Sequence, residues 1–279
     1  MAENSVNQKS SGQVKGLKQI IRGRLLSILL SGSLLLILLF SLVQFSVNLR
    51  TFRERQLELT RSLKHSIMWQ IREADETVRF LVEFCNGENA DIQTQLYAAY
   101  RMHSYYNRLI VLDESGNVLF AEPDSLLQAD YSALLRGGYE SEGLFSTVSL
   151  PYVDQKSGVV TIDFRQQSGK GNHIIGQLDL SFLQDIITRS LDDSSGTRKL
   201  IITDSYGNIL AHPEEKNVAQ QVNIGGTPLL EELKSGEEIE LGGFYSVLDS
   251  SYFIIATKMP ALGWFLIDAT RLQNLLFEL

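Results

Sequence analysis

One uncharged apolar segment near the N-terminus constrains this chain more than any other feature. The segment from Leu25 to Leu49 contains 25 residues without a charge and is dominated by Leu, Ile, Phe and Val. About 20 such residues suffice for a helix to cross the hydrocarbon core of a bilayer. A cleaved signal peptide would have a shorter apolar core, about 7–15 residues, followed by a small-residue cleavage site. Gln44 to Asn48 offers no such site, so we expect an uncleaved transmembrane anchor at residues 25–47.

Charge is distributed very unevenly along the 279 residues. Residues 1–72 hold 11 Lys and Arg against three Glu, a net charge of +8, whereas the whole chain carries −8, so residues 73–279 carry −16. A domain this acidic repels phosphate backbones, which argues against nucleic-acid binding. Basic residues flank the apolar segment on both sides, so they do not decide its orientation. We expect residues 1–24 to form a cytoplasmic tail and the large domain to lie outside the cytoplasm.

The sequence carries no recognisable catalytic or metal-binding constellation. Cys85 is the sole cysteine, which excludes an internal disulfide and a thiolate metal site. None of the four histidines has a metal-ligand spacing to another His or Cys. There is no G-x-S-x-G nucleophile motif, and Ser168 to Gly171 is typical of a polar hairpin tip rather than a phosphate loop. We therefore expect no enzyme activity, no metal and no cofactor in this segment.

A long amphipathic helix is predicted directly after the anchor. Apolar residues recur three or four positions apart, which places them on one helix face: Leu63, Ile67, Ile71, Ala74, Val78, Leu81 and Cys85. Asn86-Gly87 is a plausible stop, so the stalk helix is expected at residues 48–86, about 57 Å long at 1.5 Å per residue. One interpretation is that this helix packs along its own domain, and another is that it forms a dimer seam near the membrane. The two arrangements are compatible.

An internal repeat predicts two copies of one structural unit. Leu109 to Ala121 resembles Leu200 to His212 at an offset of 91 residues. The shared positions form a D-x-x-G-N turn between two apolar runs: Asp113, Gly116, Asn117 and Leu119 recur as Asp204, Gly207, Asn208 and Leu210. The Asp side chain can accept bonds from turn amides, and Gly tolerates a positive φ. Each copy is therefore a predicted β-hairpin, and the spacing favours a duplicated α+β module over a solenoid.

The remaining pattern predicts antiparallel sheets with helices at their edges. Further helices are expected at residues 91–106, 130–136, 181–190 and 227–234. Further strands are expected at residues 145–152, 159–166, 173–180, 238–247, 252–258 and 264–268. The predicted fold class is thus α+β, with an N-terminal transmembrane helix, a long stalk helix and two tandem antiparallel-sheet modules.

The order and spacing of these elements resemble a known family. Beside the paired hairpins, the likeness rests on three runs: Ser149-Leu-Pro-Tyr-Val-Asp-Gln-Lys-Ser-Gly158, Ile174-Ile-Gly-Gln-Leu-Asp-Leu-Ser-Phe-Leu183 and Lys258-Met-Pro-Ala-Leu-Gly-Trp-Phe-Leu-Ile267. Residues 48–270 resemble the double Cache sensor domains of bacterial transmembrane receptors, which carry two PAS-like modules. The resemblance implies a membrane-distal module at 87–190, a membrane-proximal module at 191–270 and the start of an exit segment at 271–279.

The resemblance also implies a ligand site in the distal module, over its sheet and between the hairpin strands and the stalk-side helices. In family members that bind amino acids, a Tyr-x-Asp lies on a strand, and a later strand ends in an Asp that meets the ligand ammonium. Tyr152 and Asp154 match the first motif, Asp179 matches the second, and Tyr131 matches a further tyrosine. From the residues alone, Asp154 could equally serve the turn that follows it, and Asp179 could serve a hydrogen bond at a strand end.

This sequence departs from the family pattern at the carboxylate clamp. The Arg-x-Trp-Tyr run of amino-acid-binding members corresponds here to Gln128, Ala129, Asp130 and Tyr131. An ordinary α-amino acid would need Arg101 or Arg136 as a substitute. An amine or another cationic ligand suits the remaining carboxylates better, because carboxylates and tyrosine faces both attract cations.

The resemblance implies the small-molecule-sensing region of a bacterial receptor in the cytoplasmic membrane, with a periplasmic domain and a homodimer through the stalk helix. Any kinase, cyclase or phosphatase output would lie beyond residue 279. A second hypothesis is a membrane-tethered solute-binding protein without an output domain, and a third hypothesis is a surface interaction domain.

Overall fold

The computed structural model describes residues 3–87, 91–123, 139–140, 147–191, 198–236, 240–247 and 250–271. Tyr131, Arg136 and the helix predicted at 130–136 lie outside this part of the chain. Contacts divide the molecule after Glu54 into an N-terminal unit and a second unit that contains both sheets.

The first helix, α1, spans Glu3–Asn86. In its described portion from Leu29 onward, an 18-residue window has a mean hydropathy of 2.1, and none of that window is buried. By length and composition this is a candidate membrane span. In the second unit, the predicted apolar stripe is confirmed: Ile67, Ile71, Ala74, Val78 and Leu81 are fully buried.

The first sheet contains seven strands, all paired antiparallel. Its strands are β1 (Tyr106–Leu112), β2 (Val118–Glu122), β3 (Tyr139–Glu140), β4 (Thr147–Ser149), β5 (Tyr152–Val153), β6 (Val160–Gln167) and β7 (His173–Asp179). The spatial order is β2-β1-β7-β6-β4-β3, and β5 also pairs with β6. Helix α2 (Ile92–Met102) precedes the sheet and α3 (Ser181–Ser190) follows it. We call the part from Ile92 to Ser190 the first half.

The second sheet has five antiparallel strands in the order β10-β11-β12-β8-β9. These are β8 (Arg198–Thr203), β9 (Ile209–Ala211), β10 (Glu240–Val247), β11 (Ser250–Met259) and β12 (Trp264–Arg271). Two short helices, α4 (Glu215–Ala219) and α5 (Pro228–Ser235), lie between β9 and β10 in the chain. The part from Arg198 to Arg271 is the second half. The α+β prediction with a long helix and two antiparallel sheets is confirmed.

Two of the differences between the predicted and observed element boundaries have a local physical reason. The strand expected at 145–152 is two short strands, β4 and β5, separated at Leu150 and Pro151. Proline has no N–H to donate to a sheet ladder, so the strand breaks there. The second helix ends at Met102 instead of Tyr106, because Tyr106 already pairs with Leu178 as the start of β1.

The repeated hairpin turns have the same geometry in both halves. Asp113 accepts bonds from the amides of Ser115 (2.9 Å) and Asn117 (2.8 Å), and the Asn117 side chain donates to its second oxygen at 2.7 Å. Asp204 accepts the equivalent three bonds, two at 2.9 Å and one at 2.7 Å. The turn glycines, Gly116 and Gly207, have φ values of 88° and 89°. The duplicated hairpin is therefore confirmed at atomic detail.

The hairpin tip between β6 and β7 contacts the end of α1. The Gly169 amide donates to the side-chain oxygen of Asn86 at 2.8 Å, and the Lys170 ammonium donates to the Gly87 carbonyl at 2.8 Å. These bonds join the tip to the last residue of α1 and to the residue that follows it.

Each sheet has one face toward a core that includes α1. Alternate residues of the first sheet, such as Leu109, Ile162 and Phe164, join α1 and α2 in that core. The second sheet contributes residues such as Leu200 and Leu266 to the same core. Because side chains alternate along a strand, each sheet also has a reverse face.

The reverse faces of the two sheets differ. In the second sheet, Ile254, Phe265 and Ile267 form a separate apolar core with leucines of α5. In the first sheet, the reverse face carries a small apolar cluster that includes Ile110 and Ile175, and beside it charged and polar side chains.

Candidate functional site

The candidate site is built from the reverse face of the first sheet. Strand register places Asp163 of β6 opposite Gln177 of β7, which in turn lies opposite Arg108 of β1. A second row, two residues away, consists of Tyr152, Thr161 and Asp179. Two residues correspond to about 6.8 Å along a strand, so both rows are within reach of one small molecule. We call these six residues, Arg108, Tyr152, Thr161, Asp163, Gln177 and Asp179, the polar floor.

Asp163 is the most unusual residue of the polar floor. Its side chain lies in the middle of a strand, and the residue is only 1% exposed. The Tyr152 hydroxyl donates to both of its carboxylate oxygens, each at 2.9 Å. Burial raises the pKa of Asp163 to about 6, although hydrogen bonds from Tyr152 and Gln177 oppose this rise. Among the described residues, the positive charge of Arg108 also lowers this pKa without forming a salt bridge to Asp163, and a buried carboxylate that lacks a direct ion pair is energetically costly.

Two neighbours define what Asp163 can bind. Burial, and next the negative charge of Asp163, raise the pKa of Tyr152, so its phenol stays protonated and donates. The Gln177 side-chain nitrogen donates to the Tyr152 hydroxyl. The Gln177 side-chain oxygen is buried and has no hydrogen-bond partner in the described part of the structure. The floor thus offers a carboxylate and an amide oxygen as acceptors, which suits a ligand rich in N–H donors.

Asp154 is held by its own turn and by an ion pair. One terminal nitrogen of Arg108 lies 3.0 Å and 2.9 Å from its two carboxylate oxygens. The amide and hydroxyl of Ser157 donate to it at 3.0 Å and 2.8 Å. Burial pushes the pKa of Asp154 upward, but the bonds from Ser157 and Arg108 outweigh burial, and the pKa falls below its usual value. Asp154 therefore lies beside the polar floor as an ionised, fully bonded group.

Asp179 ends β7 and also serves the start of α3. Its carboxylate accepts a hydrogen bond from the Ser181 amide at 2.7 Å. Asp179 is half-buried and belongs to the same row as Tyr152. The structure therefore brings Tyr152, Asp154 and Asp179 to one side of the first sheet.

The structure does not bring Arg101 to that side. Arg101 is exposed on α2, where its guanidinium lies 6.0 Å from the ring centroid of Tyr97. Helix α2 packs into the core that contains α1, through Ile92, Leu96 and Ala99. Arg101 thus lies on the helix-covered side of the first sheet, opposite the polar floor. Tyr131 lies outside the described residues.

Sequence reasoning missed Arg108, Asp163 and Gln177. One signal was present in β6, where polar Thr161, Asp163 and Arg165 alternate with apolar Ile162 and Phe164. An aspartate within such a strand marks a polar sheet face. The meeting of Asp163 with Gln177 and Arg108 depends on strand pairing, which the local sequence does not reveal.

The described residues contain no group of three or more His, Cys, Asp or Glu side chains that could hold a metal ion.

Comparison with known proteins identifies the architecture. A family model described as Cache domain matches residues 49–276. No curated protein matches the chain.

Three solved structures illustrate the structural likeness. The extracellular part of a protein described as a histidine kinase, rpHK1S-Z16, has a TM-score of 0.63 and 12% identity, over 80% of this chain and 96% of that one. The sensory domain of the Campylobacter jejuni chemoreceptor Tlp3 with isoleucine bound has a TM-score of 0.60 and 9% identity, over 83% and 97%. An extracellular ligand binding receptor from Desulfohalobium retbaense DSM5692 has a TM-score of 0.58 and 14% identity. That match covers 77% of this chain but only 40% of the receptor. At such identities the likeness establishes the fold.

Proposed function

Since this chain belongs to the Cache domain family, whose model covers residues 49–276, we propose that it is the extracytoplasmic ligand-sensing region of a membrane receptor. Domains of this kind occur in chemoreceptors and histidine kinases. Related domains bind amino acids and GABA. The family match concerns a sensor domain, and no catalytic domain is evident in it. The activity proposed for this segment is therefore binding, not catalysis.

The proposed ligand is a small compound with an ammonium group that pairs with Asp163 on the polar floor. The observation that carries this proposal is the buried Asp163 carboxylate, which has no salt bridge among the described residues and lies next to the unpartnered oxygen of Gln177. A cation at this position would offset the desolvation of the carboxylate. Tyr152 and Asp179 would complete the site, with Tyr131 as a further proposed contact, and Asp154 would hold Arg108 in place beside it; Arg101, on the other side of the sheet, is not part of this proposal.

The proposed organisation follows the sequence boundaries. Residues 1–24 would be cytoplasmic, 25–47 would span the bacterial cytoplasmic membrane, and 48–86 would form a stalk helix that pairs with a second copy. The membrane-distal module would be 87–190 and the membrane-proximal module 191–270, with an exit segment starting at 271. The exposed apolar window of α1 supports the membrane span.

The test is a melting experiment on the full chain in lipid nanodiscs. L-isoleucine, GABA and putrescine supply ammonium groups, and succinate supplies only carboxylates. A ligand at 100 times its Kd stabilises the folded state by about 2.7 kcal/mol. We expect at least one ammonium compound, and not succinate, to raise the melting temperature.

The variant Asp163→Asn should abolish that rise, because the amide carries no charge to pair with the ammonium. The control is Asp185→Asn on α3, where the aspartate is exposed and removed from the polar floor. A rise that survives Asp163→Asn, or a response to succinate alone, would refute an ammonium site at Asp163.

A further inference from the structure

A cleft of about 250 Å³ lies where the first and second halves meet, apart from the polar floor. The β5–β6 hairpin of the first half forms one wall, and β9 and α4 of the second half form the other. The apolar residues of these walls are Val153, Val159, Val160, Leu210, Val218 and Ala219. The start of α3 also lines the cleft. Any molecule that fills it therefore contacts both halves at once.

The lining defines the chemistry of an occupant. No Lys, Arg or His is among the described residues that line the cleft, and Glu215 is their only charged member. An anion would find no countercharge among these residues, whereas a neutral molecule needs none and a single cation can pair with Glu215. The aliphatic walls require an apolar body. A 150 Å³ apolar cavity can hold benzene, so this cleft is large enough for a fused two-ring compound.

The walls are held in place by specific contacts. The Gln184 side chain, at the start of α3, donates to the carbonyl of His212 at 2.8 Å and accepts from its amide at 3.1 Å. This pair of bonds joins the two halves directly beneath the cleft. Gln221, which also lines the cleft, has a φ of 50°, the one positive φ among the described non-glycine residues. A non-glycine residue in this region is strained, and such residues are found disproportionately at ligand-contacting segments.

We propose that this cleft is a second small-molecule site, which takes a neutral or singly cationic compound with an apolar body of about ten non-hydrogen atoms. Its occupant lies between the β5–β6 hairpin and α4 and so fixes the distance between these two walls. The β5–β6 hairpin also carries Tyr152 and Asp154, so the two sites share a structural element. This proposal does not depend on an ammonium ligand at the polar floor.

The test uses the full chain in lipid nanodiscs with 5-fluoroindole as the neutral probe, detected by fluorine NMR. Its anionic relative, 5-fluoroindole-3-acetate, has a similar ring and should not bind. Ala219→Trp places an indole in the cleft from its exposed rim and should weaken probe binding at least tenfold. Gln220→Trp is the matched control, because Gln220 is the next residue, is exposed and does not line the cleft. It should change binding less than twofold.

A second filling variant, Val159→Phe, acts from the opposite wall and should also weaken binding. Identical probe signals in wild type and both filling variants would overturn the proposal, since they would reflect the bilayer or another surface. Equal binding of the anionic relative would overturn it as well. Failure here is distinguishable from failure of the ammonium site, because Ala219→Trp and Val159→Phe change residues of the cleft that do not belong to the polar floor.

Discussion

The two halves of this protein use the same hairpin scaffold but place their polar residues on opposite sides. In the first half, the face toward α1 is apolar and the reverse face carries Asp163. In the second half, the reverse face is an apolar core closed by α5, and the face toward α1 carries Asp268. Two buried aspartates thus occupy opposite faces of two similar sheets.

The partners of these aspartates also differ. Asp268 is bound by Arg198 through two hydrogen bonds, at 2.8 Å and 2.5 Å, and Thr60 of α1 lies against it. Nearby, Gln56 of α1 donates to Thr270 at 2.6 Å. Asp163 has a tyrosine hydroxyl and no salt bridge in the described structure. The polar face of the second half thus contacts α1, whereas the polar face of the first half is the one proposed to bind a ligand.

The largest expected effect compares the two apolar cores. Phe164 and Phe265 are both fully buried, one in each core. Either change to alanine should lower the free energy of unfolding by about 3–5 kcal/mol. Hydrogen exchange should then show faster exchange in the first sheet for Phe164→Ala and in the second sheet for Phe265→Ala. Uniform acceleration in both variants would show that the halves unfold as one body and would weaken the comparison.

The next effect concerns Asp268. The variant Asp268→Asn removes the negative charge that pairs with the Arg198 guanidinium. The free energy of unfolding should therefore fall by about 3 kcal/mol. Chemical denaturation of the full chain would measure this loss. A variant as stable as the wild type would mean that the ion pair contributes nothing beyond an amide contact.

At neutral pH, the corresponding substitution Asp163→Asn should raise the free energy of unfolding instead of lowering it. The folded pKa of Asp163, about 6, lies above the ordinary aspartate value of 3.8, so the folded state binds more protons between these values. Stability from this group is therefore present below about pH 4 and is lost as pH rises through 6, by up to about 3 kcal/mol. Asp163→Asn should remove this loss and be more stable than wild type at pH 7.5.

Denaturation curves of wild type and Asp163→Asn at pH 4.5 and 7.5 would measure the difference. A wild type whose stability rises over this range relative to the variant would contradict the raised pKa. The same titration predicts that an ammonium ligand binds more weakly below pH 6, where Asp163 becomes protonated and loses its charge.

The smallest effect compares the two hairpin turns. Both Gly116 and Gly207 have φ values near 90°, so alanine should cost about 1–2 kcal/mol at either position. At Gly207 the added Cβ would also collide with the backbone of Gly225, so its loss should reach at least the upper end of this range. A smaller loss in the melting curve of Gly207→Ala would indicate that this turn relaxes away from Gly225.

Features that depend on neighbouring residues could be predicted from the sequence, whereas contacts between distant residues could not. The turns at Asp113 and Asp204 were predictable because donor and acceptor lie within four residues of each other. The stripe on α1 was predictable because helix periodicity is local. Asp163 was missed because its partners reach it only through strand pairing. Gln177 is 14 residues away in sequence, and Arg108 is 55 residues away. Tyr152 was named only through the family motif.

The hairpin tip that meets Asn86 and Gly87 has a mechanical consequence. This tip connects the strands that carry Asp163 and Gln177. Its Gly169 and Lys170 form hydrogen bonds to the end of α1. A ligand at the proposed site would therefore contact strands whose shared tip is hydrogen-bonded to the end of α1. The sheet that carries the proposed ligand site is thus the same sheet that holds this end of α1.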